Sequence, residues 1–191
     1  MRRPMPACVS LVSCAMGIGA AVTISWGPPA NGLRLGLALE TATGTRSVHV
    51  AFQNTGAKPI DVLLGGGTGV GPMYAMNFAA KGPDGNERQV FYFGGAASVG
   101  GYIEPLLVRL MPGETHDLFL PLNKFVCVVN RKDTTLDVLL KSGYSVRASL
   151  EVSGESAKWA RSNATWRGST EIWTGKVESG GARLTAATAR E

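Results

Sequence analysis

The chain of 191 residues is poor in the residue types that most often carry catalysis or covalent crosslinks. It has three cysteines and two histidines, and charged residues make up only 17%. Cys8 and Cys14 lie near the amino terminus, so residues 31–191 contain Cys127 alone and cannot form an internal disulfide. Stability must therefore come from packing, and we expect Cys127, between two valines, to be a buried apolar residue.

Motifs for hydrolytic, nucleotide or metal chemistry are also missing. The sequence has no G-x-S-x-G or H-E-x-x-H segment, and the glycine-rich run at residues 64–72 lacks the spacing of a phosphate-binding loop. His116 and Asp117 are neighbours on a predicted strand, so their side chains point to opposite faces and form a poor dyad. His49 is expected on the outward face of another strand. We therefore predict no catalytic residue, no metal site, no cofactor and no enzyme activity.

Basic residues are not concentrated in any segment. The formal net charge is +5, and it falls to +3 without Arg2 and Arg3. The remaining charges are scattered and form no stripe of lysine or arginine. We therefore expect no nucleic-acid partner.

The amino-terminal segment, residues 1–30, has the features of an export signal followed by a linker. Arg2 and Arg3 precede residues 7–22, which are apolar or small and carry no charge. Three interpretations stay open. They are a signal peptide cleaved near residues 19–21, a lipoprotein acylated at Cys14, and an uncleaved membrane anchor over residues 7–26. Each places residues 31–191 outside the cytoplasm: periplasmic, secreted or anchored at the outer face of a bacterial membrane.

Alternation of apolar and polar residues predicts that residues 31–191 form one domain of short strands. The clearest strands are residues 33–39, 48–52 and 144–152, and the turn at residues 82–86 predicts a hairpin. Further strands are predicted at residues 60–64, 74–80, 88–93, 106–110 and 118–122, and the segments at residues 173–177 and 182–186 are expected to close the domain. Leu136, Leu139 and Leu140 form the apolar stripe of a single short helix that ends at Gly143. About eight or nine strands and one short helix predict an all-β, antiparallel sandwich.

Three segments resemble a known class of protein. Residues 48–64 read VHVAFQNTGAKPIDVLL, a Pro-Gly-Glu turn follows at residues 112–114, and residues 173–180 read WTGKVESG. Over residues 32–186 this order of features resembles small exported bacterial immunoglobulin-like β-sandwich proteins of uncharacterised function. The resemblance implies an immunoglobulin-like fold and export, and its strand and turn motifs imply no activity.

Tryptophan and arginine are interleaved between residues 159 and 173, where three of the four tryptophans fall at a spacing of seven. The polar residues and glycine of this segment favour loop and strand over helix. Positions seven apart face opposite sides of a strand, so we expect Trp173 in the core and at least one other tryptophan at the surface. Trp159, Arg161, Trp166 and Arg167 are therefore the predicted binding residues.

The function expected from these observations is binding. The first hypothesis is an exported, non-enzymatic interaction module of the bacterial cell envelope. It would contact an envelope protein through a sheet edge or its glycine-rich loops. The alternatives are a carbohydrate-binding module that uses Trp159 and Trp166 on a polysaccharide, and a proteinase-inhibitor-like sandwich that presents a loop. No membrane contact is expected beyond an amino-terminal anchor or a lipid at Cys14, and the oligomeric state stays open.

Overall fold

The computed structural model describes residues 23–42, 45–68, 75–93, 102–129, 132–165 and 170–184. These residues form thirteen strands and two α-helices. The all-β class is therefore confirmed, with more strands than the eight or nine that were predicted. The strands are β1 (Ser25–Trp26), β2 (Leu33–Ala42), β3 (Thr45–Asn54), β4 (Ile60–Thr68), β5 (Met76–Lys81), β6 (Glu87–Tyr92), β7 (Tyr102–Leu110), β8 (Thr115–Pro121), β9 (Phe125–Val129), β10 (Lys132–Thr135), β11 (Ser145–Val152), β12 (Glu171–Ile172) and β13 (Gly175–Glu178). The helices are α1 (Leu136–Lys141) and α2 (Gly154–Asn163), and Leu122–Lys124 form a 3-10 turn.

The strands form three sheets. The four-stranded sheet has the order β1-β2-β3-β8, the large six-stranded sheet has the order β10-β9-β6-β5-β11-β13, and the three-stranded sheet has the order β12-β4-β7. All pairs are antiparallel except β12 with β4. In the four-stranded sheet β3 pairs with β8, and in the large sheet β5 pairs with β11, so each of these sheets joins strands that are far apart in the sequence.

One hydrophobic core lies between the sheets. Alternate residues of β2 and β3, such as Leu35 and Val50, are fully buried, and alternate residues of β11, such as Val146 and Leu150, meet them. The same cluster takes in Val62 of the three-stranded sheet. The apolar residues that recur at every second position of the sequence therefore form the inward face of a sandwich.

Strand β1 closes a corner between the four-stranded sheet and the large sheet. It pairs with β2, and on its other side the Gly180 N–H donates to the Ser25 carbonyl oxygen at 3.1 Å. At Gly27 the backbones approach so closely that a Cβ would lie 1.7 Å from the Glu178 carbonyl oxygen. These residues precede the predicted domain boundary at residue 31, and Ser25 and Trp26 lie in a strand, although one interpretation placed them in a membrane helix. In the described ranges, no helix combines the length and the apolar character needed to cross a membrane.

The helices differ from the prediction in number. Helix α1 is confirmed, with Leu136, Leu139 and Leu140 buried. Helix α2 was not predicted, because the segment from Trp159 onward was interpreted as loop and strand. Its start is encoded locally: Ser153 is the N-cap, and its Oγ accepts from the Ser156 N–H at 3.0 Å. The expectation of a single helix was therefore wrong.

The first glycine-rich run begins inside a strand rather than in a loop. The residues from Gly65 to Thr68 belong to β4 and pair with β7, with two shifts of register. Gly66 has a φ of +112°, and a Cβ there would lie 2.7 Å from the Glu104 carbonyl oxygen. Glycine is therefore required by the bulged pairing. The continuation of this run and most of the second one, residues 94–101, lie outside the described residues.

Cys127 is a thiol in the core, as predicted, and only 1% of it is exposed. Burial raises the pKa of this thiol, and the positive charge of Arg88 opposes the effect. Since the thiolate is the reactive form, we expect the folded protein to react with Ellman's reagent at least about a hundredfold more slowly than the denatured protein. The measurement uses a chain in which Cys8 and Cys14 are replaced by serine. A folded thiol that reacts as fast as the denatured one would contradict this expectation.

Candidate binding groove

The predicted binding residues are not brought together by the part of the chain that the structure describes. Trp159 lies in α2 and is half-buried against the core, whereas Arg161 in the same helix is exposed. Two residues apart on a helix, these side chains point about 200° apart and share no face. Trp166 and Arg167 lie outside the described residues. Trp173 is 3% exposed, which confirms the expectation that it belongs to the core.

His49 was expected on the outward face of its strand, and it does lie opposite the core residues of β3, but it is only 7% exposed. Its Nδ1 lies 2.6 Å from the Glu40 Oε1, and its Nε2 lies 2.7 Å from the Asp117 Oδ1. The ring also stacks on Phe119, with 4.4 Å between the ring centroids. Because the three polar residues come from β2, β3 and β8, this cluster ties the strands of the four-stranded sheet together.

The cluster is poorly suited to acid–base catalysis. Both ring nitrogens face carboxylate oxygens, and only the doubly protonated ring can donate to both at once. Neither nitrogen of His49 is then left for a substrate. Asp117 turns to His49, so it does not pair with His116, its neighbour in the chain. In the described residues, no group of three or more histidine, cysteine, aspartate or glutamate side chains is arranged to hold a metal ion.

A more open site lies on the outer face of the large sheet, where β5, β6, β11 and β13 form a shallow groove of about 360 Å³. The outward positions of these strands line it, and the residues between them point into the core. In β5, for example, Asn77 and Ala79 face the groove, whereas Phe78 and Ala80 are buried. The outward residues that line the groove are Asn77, Ala79, Glu87, Gln89, Arg147, Ser149, Lys176 and Glu178, and the buried Phe78 and Ala148 border it between them.

The charges of the groove are paired with one another. Arg147 forms an ion pair with Glu87, and the Lys176 Nζ lies 2.8 Å from the Glu178 Oε1. The hydrogen bond between Lys176 and Glu178 raises the pKa of the lysine and lowers that of the glutamate, so both are charged near neutral pH. Two cations and two anions therefore give the groove no net charge.

The neutral polar side chains of the groove are available to a ligand. Ser149 is paired with Asn77 in the sheet register, and Gln89 with Ala79. In the part of the chain that the structure describes, the side chains of Asn77, Gln89 and Ser149 form no hydrogen bond with another protein group. One hydroxyl and two amides thus offer both hydrogen-bond donors and acceptors, and the small side chain of Ala79 lies among them.

Two exposed aromatic rings follow the groove along β6. Phe91 continues the outward row of Glu87 and Gln89, and Phe93 comes directly after the strand. They are 45% and 65% exposed, with 6.5 Å between the ring centroids. An exposed pair of large apolar rings beside a polar groove is typical of a binding surface.

This groove was not predicted from the sequence, although each of its strands was predicted in part. Period-two alternation in residues 74–80, 88–93, 144–152 and 173–177 marks the outward positions, but not which strands are neighbours.

Comparisons with known proteins add no site or family: no family model matches the chain, and no curated protein or solved structure is significantly similar to it.

Proposed function

We propose that this chain is an exported, non-enzymatic binding module of the bacterial cell envelope, and that it recognises its ligand through the groove of the large sheet. The observation that carries the proposal is the combination of unengaged Asn77, Gln89 and Ser149 with charges that are already paired. Such a surface presents hydrogen-bonding groups to a ligand, and in the described residues the Ser149 hydroxyl is not hydrogen-bonded to a base that would activate it. The export part of the proposal rests on Arg2, Arg3 and the apolar residues 7–22.

The strands that carry the proposed site are anchored in the hydrophobic core. The groove lies on strands whose inward residues are part of the core, so its side chains start from a rigid backbone. Binding groups on rigid elements lose less conformational freedom when a ligand arrives. The His49 cluster offers no comparable opening, because its polar atoms are engaged with one another.

Replacing Ser149 with tryptophan is expected to fill the groove and to lower binding to isolated cell-wall material by at least about tenfold. Ser149 is half-buried on the outer face of β11, so the larger ring extends over the groove and not into the core. The measurement is the fraction of the tagged full chain that co-sediments with the wall material. Thr115→Trp is the matched control, because Thr115 is an exposed residue on the outer face of the four-stranded sheet.

Both variants are first compared with the unsubstituted chain in thermal unfolding, which separates loss of binding from loss of fold. If Ser149→Trp and Thr115→Trp are retained equally well, the groove is not the recognition surface and the proposal is wrong.

A further inference from the structure

We infer that the ligand of the groove is a neutral oligosaccharide chain, an inference that rests on the proposed use of the groove for binding. It depends on four features: the balance of charge, the kind of hydrogen-bonding groups, the backbone of the groove strands and the exposed aromatic pair.

The charge balance argues against a strongly charged ligand. Arg147 and Lys176, the two cations of the groove, are each held by a glutamate. A phosphate, a nucleic acid or an acidic peptide would have to displace Glu87 or Glu178 and would then meet the repulsion of that carboxylate. A neutral ligand leaves both ion pairs in place and can still accept or donate hydrogen bonds at their outer atoms.

The uncharged groups of the groove match the chemistry of sugar hydroxyls. Each hydroxyl both donates and accepts, and so does the set formed by the Asn77 and Gln89 amides and the Ser149 hydroxyl. A groove of about 360 Å³ is also within the range of small-molecule sites. The groove is open and is lined by residues of four strands, so it suits a short segment of a longer chain better than a compact metabolite.

Three of the four groove strands have no backbone edge open to an extended peptide. Peptides that add to a sheet need an unpaired strand edge. Strands β5, β6 and β11 are interior strands of the large sheet, and the carboxyl-terminal end of the edge strand β13 lies against Gly27 at Glu178. Recognition in the groove must therefore come from side chains, as it does for a ligand that has no peptide backbone to pair.

The aromatic pair supplies the apolar contact that sugars need. A sugar ring carries C–H groups on its faces, and an aromatic face, with its partial negative charge, attracts them. Phe91 and Phe93 are exposed at the end of the row that contains Gln89. An oligosaccharide that extends from the groove over Gln89 and Asn77 would thus form hydrogen bonds with both amides and stack on Phe91.

The experiment is isothermal titration of the full chain with soluble neutral probes: a β-glucan, a galactomannan and fully N-acetylated chito-oligosaccharides. We expect at least one to bind, with an affinity unchanged between about 0.05 and 0.5 M NaCl, because no net charge is neutralised. The double variant Asn77→Ala/Gln89→Ala should weaken that binding by about tenfold, equivalent to roughly 1.4 kcal/mol. Phe91→Ala should weaken it by a similar factor.

Phe119→Ala is the matched control, since Phe119 is 56% exposed on the outer face of the four-stranded sheet. The inference is overturned if no neutral probe binds, or if Phe119→Ala weakens binding as much as Phe91→Ala. Binding of an acidic polysaccharide or a peptide instead, lost in Ser149→Trp, would overturn the inference and leave the proposed function standing. Binding of any ligand at full strength by Ser149→Trp would overturn both.

Discussion

Replacing Gly27 with alanine is expected to cost more than about 4 kcal/mol of folding free energy, enough to unfold many single domains. The new Cβ would lie 1.7 Å from the Glu178 carbonyl oxygen and 2.8 Å from the carbonyl carbon. Both atoms are backbone, so no side chain can rotate away, and the corner between β1 and β13 has to open. Urea denaturation of the two chains, followed by tryptophan fluorescence, measures the loss.

Gly154→Ala is the control for this substitution. Gly154 is the first residue of α2, and a Cβ there has nothing within 4 Å. We expect its stability to stay within about 1 kcal/mol of the original chain, because alanine is also a better helix former than glycine. Equal stability of Gly27→Ala and Gly154→Ala would mean that the two backbones do not meet at this corner.

Replacing Arg109 with alanine is the second substitution with a large expected effect. The Arg109 Nε lies 3.1 Å from the Asp61 Oδ1, and its Nη2 lies 3.4 Å from the Asp61 Oδ2. Asp61 is only 1% exposed, so removing its partner leaves a carboxylate in the core. Breaking such a pair costs about 3–5 kcal/mol, and we expect about 3 because water can reach the partly exposed arginine side.

A double substitution tests whether the buried charge causes this loss. In Asp61→Asn/Arg109→Ala the carboxylate is gone, and we expect the double variant to be more stable than Arg109→Ala alone by about 1–2 kcal/mol. Any other contact of Arg109 is lost in both chains and cancels in the comparison. A double variant less stable than Arg109→Ala would show that the charge of Asp61 is not the cost.

The fold class could be predicted because burial leaves a periodic mark in the sequence. Leu33, Leu35 and Leu37 alternate with less apolar residues because one side of β2 faces the core. Helix α1 was predictable for the same reason, from leucines at helical spacing. The prediction of loop and strand around Trp159 was wrong because the downstream glycine and hydroxyl residues were given more weight than the capping serine at position 153.

The groove could not be predicted because it depends on which strands become neighbours. Asn77 and Ser149 lie side by side only because β5 pairs with β11, and nothing in either strand names its partner. The burial of His49 has a similar origin: alternation gave the correct face of β3, but the carboxylates that enclose the ring come from β2 and β8. The immunoglobulin-like topology implied by the resemblance stays a prediction.

The corner at β1 also determines how the molecule responds to a pull. The first strand of the described fold is short, with two residue pairs to β2, and it meets the carboxyl-terminal side of β13 through the Gly180–Ser25 hydrogen bond. Tension applied at the amino end, as by a tether, therefore acts on a few bonds in succession and not on a long ladder loaded all at once. Under load, β1 would peel away first, and β5, β6 and β11, the interior strands that carry most of the groove, would keep their arrangement longer.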